Sequence, residues 1–162
     1  MSPLPQPTLA QPFPEINMGD LPNVLGLLLR LAQVRSYDRF FAEFEGQDAR
    51  PSEMTVMWLV ELNPGIRMGE VGRVLSIKPA HMTKMVQRLV TAGYLAREVP
   101  PDDRRAYCLS LTPAGQAHVD ANRAAYDKVQ SSQAAGLSEE EFNTLLFLLR
   151  KLAFEKVVSD AR

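Results

Sequence analysis

Between residues 79 and 113 the hydrophobic period changes from helix to strand and back, and each change is marked by a residue with few conformational alternatives. From Pro79 the apolar residues Met82, Met85, Val86, Leu89 and Val90 recur at three and four, which puts them on one helix face. Gly93 follows where a helix ends best on a left-handed residue. Residues 94–99 and 106–111 then read as strands, with Tyr107, Leu109 and Leu111 on one side. The segment 100–105, Pro-Pro-Asp-Asp-Arg-Arg, is rich in turn formers, so a β-hairpin is expected. Thr112-Pro113 restarts a helix with a hydroxyl cap followed by proline at the first position.

Helical periods flank this segment. Pro22 opens one that carries Val24, Leu28, Leu31, Val34, Asp38 and Phe41 to about Phe44. Leu25 and Leu27 widen its apolar side beyond what one small domain needs, which implies burial against a second chain. A second helix starts at Pro51 and Ser52 and turns Met54, Met57, Trp58 and Leu62 inward, until Asn63-Pro64-Gly65 stops it. A short third helix covers about 67–75 and the fourth about 79–92. The fifth runs from Pro113 to about Ala135. Ser138 and Glu141 then form a capping box for a sixth, which reaches about Val157 and has a wide apolar face. The expected fold class is mainly α, with one hairpin after the fourth helix.

The 162 residues correspond to about one domain. A single cysteine, Cys108, excludes an internal disulfide, a CxxC pair and a multi-cysteine zinc site. Prolines 3, 5, 7, 12, 14 and 22 are half of the chain's 12, so residues 1–21 are expected to be an extended arm rather than a helix. A proline-rich docking motif is the sharper alternative for that arm. No basic residue precedes Arg30, so a secretory n-region is missing. The apolar run 25–31 falls far short of the roughly 18 residues that cross a bilayer. A soluble, cytoplasmic protein without membrane contact is expected. No H-E-x-x-H, G-x-S-x-G, GxGxxG or P-loop pattern occurs, and His81 and His118 lie on different helices. Neither an enzyme nor a cofactor site is expected.

Net charge is −1 but segregated. Residues 71–97 hold five basic residues and no acidic one; residues 67–105 hold eight and four, leaving ten and fifteen elsewhere. On the fourth helix His81, Lys84 and Arg88 share a face, flanked by Ala80, Thr83 and Gln87. Cations, a hydroxyl and an amide are the groups that bind phosphates and read base edges in a major groove. A solvated surface is the bland alternative for such a face. A short helix, a tight turn and this second helix form a helix-turn-helix. Arg104 and Arg105 on the hairpin tip could reach an adjacent minor groove. Asp102 or Asp103 either orients one of them or simply forms the turn.

Three stretches carry a family likeness: Leu89-Val90-Thr91-Ala92-Gly93-Tyr94-Leu95-Ala96-Arg97, Pro101-Asp102-Asp103-Arg104-Arg105-Ala106 and Leu109-Ser110-Leu111-Thr112-Pro113-Ala114-Gly115. They resemble the MarR family of bacterial winged helix-turn-helix regulators over about residues 50–115. The resemblance implies a homodimer whose residues 22–46 and 113–162 interlock as dimerisation helices. Residues 50–112 would form the winged part, within one domain over residues 22–162. It places Pro79, Ala80, His81, Thr83, Lys84 and Arg88 at DNA-contacting positions, Arg104 at the wing arginine and Asp102 at its partner. Double-stranded DNA with a pseudo-palindromic operator is the implied partner. Release by a small aromatic acid or an acyl-CoA is the implied regulation, with repression the expected mode.

The resemblance also places an effector cleft between the dimer helices and the winged part. Tyr37, Phe40, Phe44, Met54, Trp58 and His118 are candidate liners, and Arg30, Arg35 and Arg39 candidate partners for an anionic ligand. Each has an ordinary reading as core or solvated surface. Two alternatives stand beside ligand response: redox sensing through Cys108, and a dimeric winged scaffold that does not bind DNA.

Overall fold

A computed structural model describes residues 16–45, 50–100, 106–134 and 136–154. Most of the proline-rich arm, the expected hairpin tip with Asp102, Arg104 and Arg105, and the expected end of the sixth helix at about Val157 lie outside the described residues. The described residues up to Ser36 and those from Tyr37 onward belong to two compact units.

The first unit begins with a 3-10 turn over Leu21–Asn23, and the first α-helix, α1, spans Leu25–Glu43 and continues into the second unit. Pro22 therefore opens the turn rather than the α-helix. Extended backbone at Val24 separates the two. The apolar face of α1 is exposed at Leu25, Leu28, Leu31 and Val34.

In the second unit α2 spans Pro51–Leu62, α3 Met68–Val74 and α4 Pro79–Thr91. The hairpin pairs β2, Leu95–Glu98, with β3, Cys108–Leu111. A two-residue strand, β1 at Ile66–Arg67, joins the other side of β3, so the expected hairpin becomes a three-stranded antiparallel sheet in the order β1-β3-β2. Ile66 pairs with Leu109 and Arg67 with Cys108. Gly65, at φ +81°, makes the bend that brings Ile66 alongside β3. The remaining helices are α5, Pro113–Gln133, and α6, Glu139–Phe154. The capping box forms as expected: Ser138 N donates to Glu141 Oε2 at 2.7 Å and Glu141 N donates to Ser138 Oγ at 3.2 Å. The Ser138 N–H, and after it the Ser138 hydroxyl, hold the Glu141 carboxyl below its usual range.

Two apolar clusters meet on α2. Val56, Met57 and Val60 pack with Val71, Met82, Met85, Val86, Leu89, Leu95, Leu109 and Val119, uniting helix-turn-helix, sheet and α5. Met54, one turn earlier, packs instead with Phe40, Phe44 and Val129. On α6, Leu145, Phe147, Leu148, Leu152 and Phe154 remain exposed.

The turn between α3 and α4 is tight. Ile77 N donates to Gly72 O at 2.8 Å, and a Cβ on Gly72 would stand 3.2 Å from Ile77 O. Ser76 takes a left-handed φ of 53°, which a side chain disfavours. Ser76→Gly should stabilise the protein by about 0.5–1 kcal/mol, part of the gain being offset by the freer unfolded chain. Thermal unfolding should show a Tm rise of about 2 °C. A fall in Tm would mean that the serine side chain makes a contact outweighing the strain.

Candidate nucleic-acid interface

α4 divides into two faces along its length. Met82, Met85, Val86 and Leu89 are buried, whereas Pro79, Ala80, His81, Thr83, Lys84 and Gln87 are exposed. The exposed side is ordered by bonds within the helix. Thr83 Oγ1 donates to Pro79 O at 3.0 Å, and Gln87 Nε2 donates to Thr91 Oγ1 at 3.4 Å. The helix starts without a side-chain cap at Lys78. Pro79 has no N–H and His81 N donates to Lys78 O at 3.0 Å, so the Ala80 N–H and the positive end of the dipole are what this end offers to water or an anion.

Arg88 differs from the residues with which spacing groups it. It is half-buried and turns to α2, where Nη2 donates to Glu53 Oε2. Glu53 is only 8% exposed, so the pair fastens the second half of α4 to the first turn of α2. The exposed α4 face thus presents Lys84 and His81 flanked by neutral polar and small groups.

The α4–β2 turn is locked against α5. Gly93 ends α4 at φ +76°. Thr112 Oγ1 donates to Gly93 O at 2.6 Å and accepts from Gly115 N at 2.9 Å, while Thr112 N donates to Tyr94 O at 3.0 Å. One residue therefore caps α5 and fixes the end of α4.

The expected effector liners do not all come together. Phe40, Phe44 and Met54 are buried against one another, with Phe40 and Phe44 stacked at 4.3 Å between ring centres. Tyr126 of α5, not among the candidates, joins this group and meets Trp58 edge to face at 4.2 Å. Trp58 Nε1 is buried without a hydrogen-bond partner among the described residues. Arg123 lies 5.9 Å from the Trp58 ring and is bound by Glu61 at 3.0 and 3.1 Å. His118 sits apart, stacked on Tyr94 at 4.3 Å, and burial holds it below the usual histidine range. Tyr37 is exposed and Arg39 half-buried; Arg30, in the first unit, is exposed. Tyr126 follows Val119 and Asn122 at helical spacing and precedes Val129, so its inward position has a sequence signal. The Glu53–Arg88 pair spans 35 positions and has none.

Cys108 is half-buried on β3, the middle strand, between Arg67 and Glu98 in register. Among the described residues no three His, Cys, Asp or Glu side chains are grouped to hold a metal, and no helix is long and apolar enough to cross a membrane.

The sequence model of the MarR family matches residues 50–107. A putative transcriptional regulatory protein for the hcr operon of Thauera aromatica is 27% identical over 139 residues, covering 85% of this chain and 84% of that protein. The crystal structure of a probable transcriptional regulator from Pseudomonas aeruginosa is 30% identical with a TM-score of 0.75, over 82% of this chain and 98% of that one. The transcriptional repressor CouR, bound to a 23-mer DNA duplex, is 27% identical with a TM-score of 0.80, over 86% of this chain and 99% of its own. CouR bound to p-coumaroyl-CoA is similar at a TM-score of 0.79 and 25% identity, over 87% and 99% of the two chains.

Proposed function

From the premise that this chain belongs to the MarR family, we propose that it is a homodimeric repressor released from a pseudo-palindromic operator by a small aromatic acid or its CoA thioester. That it is a DNA-binding transcriptional regulator and not an enzyme follows from the family itself. The observation that carries the finer reading is the exposed face of α4, which is free of acidic residues.

On this reading Pro79, Ala80, His81, Thr83, Lys84 and Gln87 face the major groove. Arg104 and Arg105, with Asp102 orienting one of them, serve an adjacent minor groove. Arg88 acts by holding α4 on α2. Residues 22–162 work as one domain following the arm, and the exposed apolar faces of α1 and α6 meet a second copy. Dimeric symmetry then sets half-sites about one helical turn (~10 bp) apart. For the effector, CouR's ligand is an aromatic acyl-CoA. Trp58, backed by the buried Phe40, Phe44 and Met54, is the proposed neighbour of the aromatic part, with Tyr37 and Arg39 nearer its charged part. The unpartnered Trp58 Nε1 supports this, since a ligand acceptor would satisfy it. A cytoplasmic location belongs to the same proposal.

The test is fluorescence anisotropy on a duplex selected from a random pool. Lys84→Ala and Arg104→Ala should each weaken binding by about 1–3 kcal/mol, with an unchanged dimer in sedimentation. An aromatic acyl-CoA should release the duplex. Equal affinity for selected and scrambled duplexes at physiological salt would sink the sequence-specific reading.

A further inference from the structure

α2 and α5 meet through two rungs of side chains. Trp58 and Glu61 share a face of α2, and Arg123 and Tyr126 share a face of α5, each pair one turn apart. Trp58 meets Tyr126 and Glu61 meets Arg123, so the two helices pass in opposite senses and an aromatic rung lies beside an ionic one. Phe40 and Phe44 back the aromatic rung, both edge to face with Tyr126. The Glu61 side chain is only 18% exposed and is held from a second side, because Gln116 Nε2 donates to its Oε1 at 2.7 Å. Arg123 is less committed. It uses Nη2 alone, at 3.0 and 3.1 Å from the two Glu61 oxygens and 4.0 Å from Asp120 Oδ1. Its Nε and Nη1 have no partner among the described residues, and its side chain is 49% exposed. The guanidinium carbon stands 5.9 Å from the centre of the Trp58 ring, whose buried Nε1 also lacks an acceptor among the described residues.

We propose that Arg123 recognises the carboxylate of an aromatic acid bound against Trp58. The proposal rests on the reading that the chain responds to a small aromatic ligand, and it adds the residue that reads the ligand's charge. Three properties favour this chemistry. A guanidinium carries five N–H donors in a planar fork, and those on Nε and Nη1 remain for a second carboxylate while Nη2 stays on Glu61. The unsatisfied donors of Arg123 and Trp58 both call for acceptor oxygens, and the surface beside them is an indole ring, so one molecule with an aromatic ring and oxygen acceptors suits both. The Glu61 and Asp120 carboxylates near the same guanidinium oppose a cluster of negative charges, so a single carboxylate on an otherwise neutral ring fits best. Glu61 and Gln116 are positioning residues, since they hold Arg123 beside Trp58.

The probes are benzoate, 4-hydroxybenzoate and 4-hydroxycinnamate, each beside its neutral amide, and 4-hydroxycinnamoyl-CoA. They are titrated against the full chain by calorimetry and by the emission of Trp58, the chain's one tryptophan. Wild type should prefer at least one acid to its amide. Arg123→Gln should weaken that acid by roughly 10–100-fold, the range for a hydrogen bond to a charged group, and leave acid and amide about equal. Arg123→Lys should keep part of the preference, because it retains the charge and loses the fork. Glu61→Gln leaves an acceptor for Arg123 and removes a competing negative charge, so the acid should bind tighter and the amide as before. Melting temperatures report folding, and Glu61→Gln keeps the test valid if Arg123→Gln is unstable. The thioester has no free carboxylate, so its affinity should not depend on Arg123. An unchanged acid-to-amide preference in these folded variants overturns the assignment. An equal loss for the thioester makes the bound anion a CoA phosphate and overturns the carboxylate. A wild-type chain that binds none of the probes overturns the aromatic-ligand reading itself.

Discussion

Gly115→Ala should destabilise the protein by about 3 kcal/mol or more, the upper range for overpacking. A Cβ built on Gly115 falls 2.0 Å from Tyr94 O and 2.9 Å from Tyr94 C. Both are backbone atoms, so no rotamer change relieves the overlap. Tyr94 O already accepts from Thr112 N, and Thr112 Oγ1 binds Gly93 O, so the turn cannot withdraw without breaking the lock on α5. Circular dichroism melts should show Tm lowered by about 10 °C, with duplex affinity lost in parallel because the end of α4 is set by the same lock. Gly69→Ala is the control, since a Cβ there meets nothing within 4 Å. Equal melting of Gly115→Ala and wild type would mean that α5 does not seat on the α4–β2 turn.

Arg88→Ala should be the second large effect, at about 3–5 kcal/mol, because it leaves the Glu53 carboxylate buried and unpaired. Glu53→Gln should be milder, since Arg88 is partly exposed and can turn to water. Replacing both with apolar residues of similar volume should recover most of the loss, as no buried charge then remains. A double-mutant cycle read by denaturant unfolding measures the coupling. If Arg88→Ala and Glu53→Gln destabilise equally and additively, the pair is not the tie between α4 and α2. Because the tie sets where α4 sits on α2, duplex affinity should fall in Arg88→Ala even where the chain remains folded.

Much of the fold is legible along the chain because its punctuation is local. Pro51, Pro79 and Pro113 each open a helix, and Gly93 and Gly136 adopt the left-handed turns that follow helices. The two faces of α4 are equally legible, since a period near four separates Met82, Met85, Val86 and Leu89 from His81 and Lys84. The third strand is not. Two residues, Ile66 and Arg67, are too short to show alternation, and their pairing with β3 closes over more than 40 positions. The α1 start at Leu25 is similarly obscured, because Pro22 fits the first turn of either helix type.

For the site, the sequence by itself determined which residues carry charge and on which helix face they stand, because both depend only on local spacing. Tertiary structure alone decided which of those charges remain available. Arg88 and Lys84 share the fourth helix, yet Arg88 meets Glu53 from α2 and Lys84 remains exposed. Arg97 reads as one strand residue among others until β3 brings Tyr107 beneath it. The physical reason is the same in both cases. The free energy of a charge depends on its desolvation and its partners, and both are supplied by segments far away in sequence.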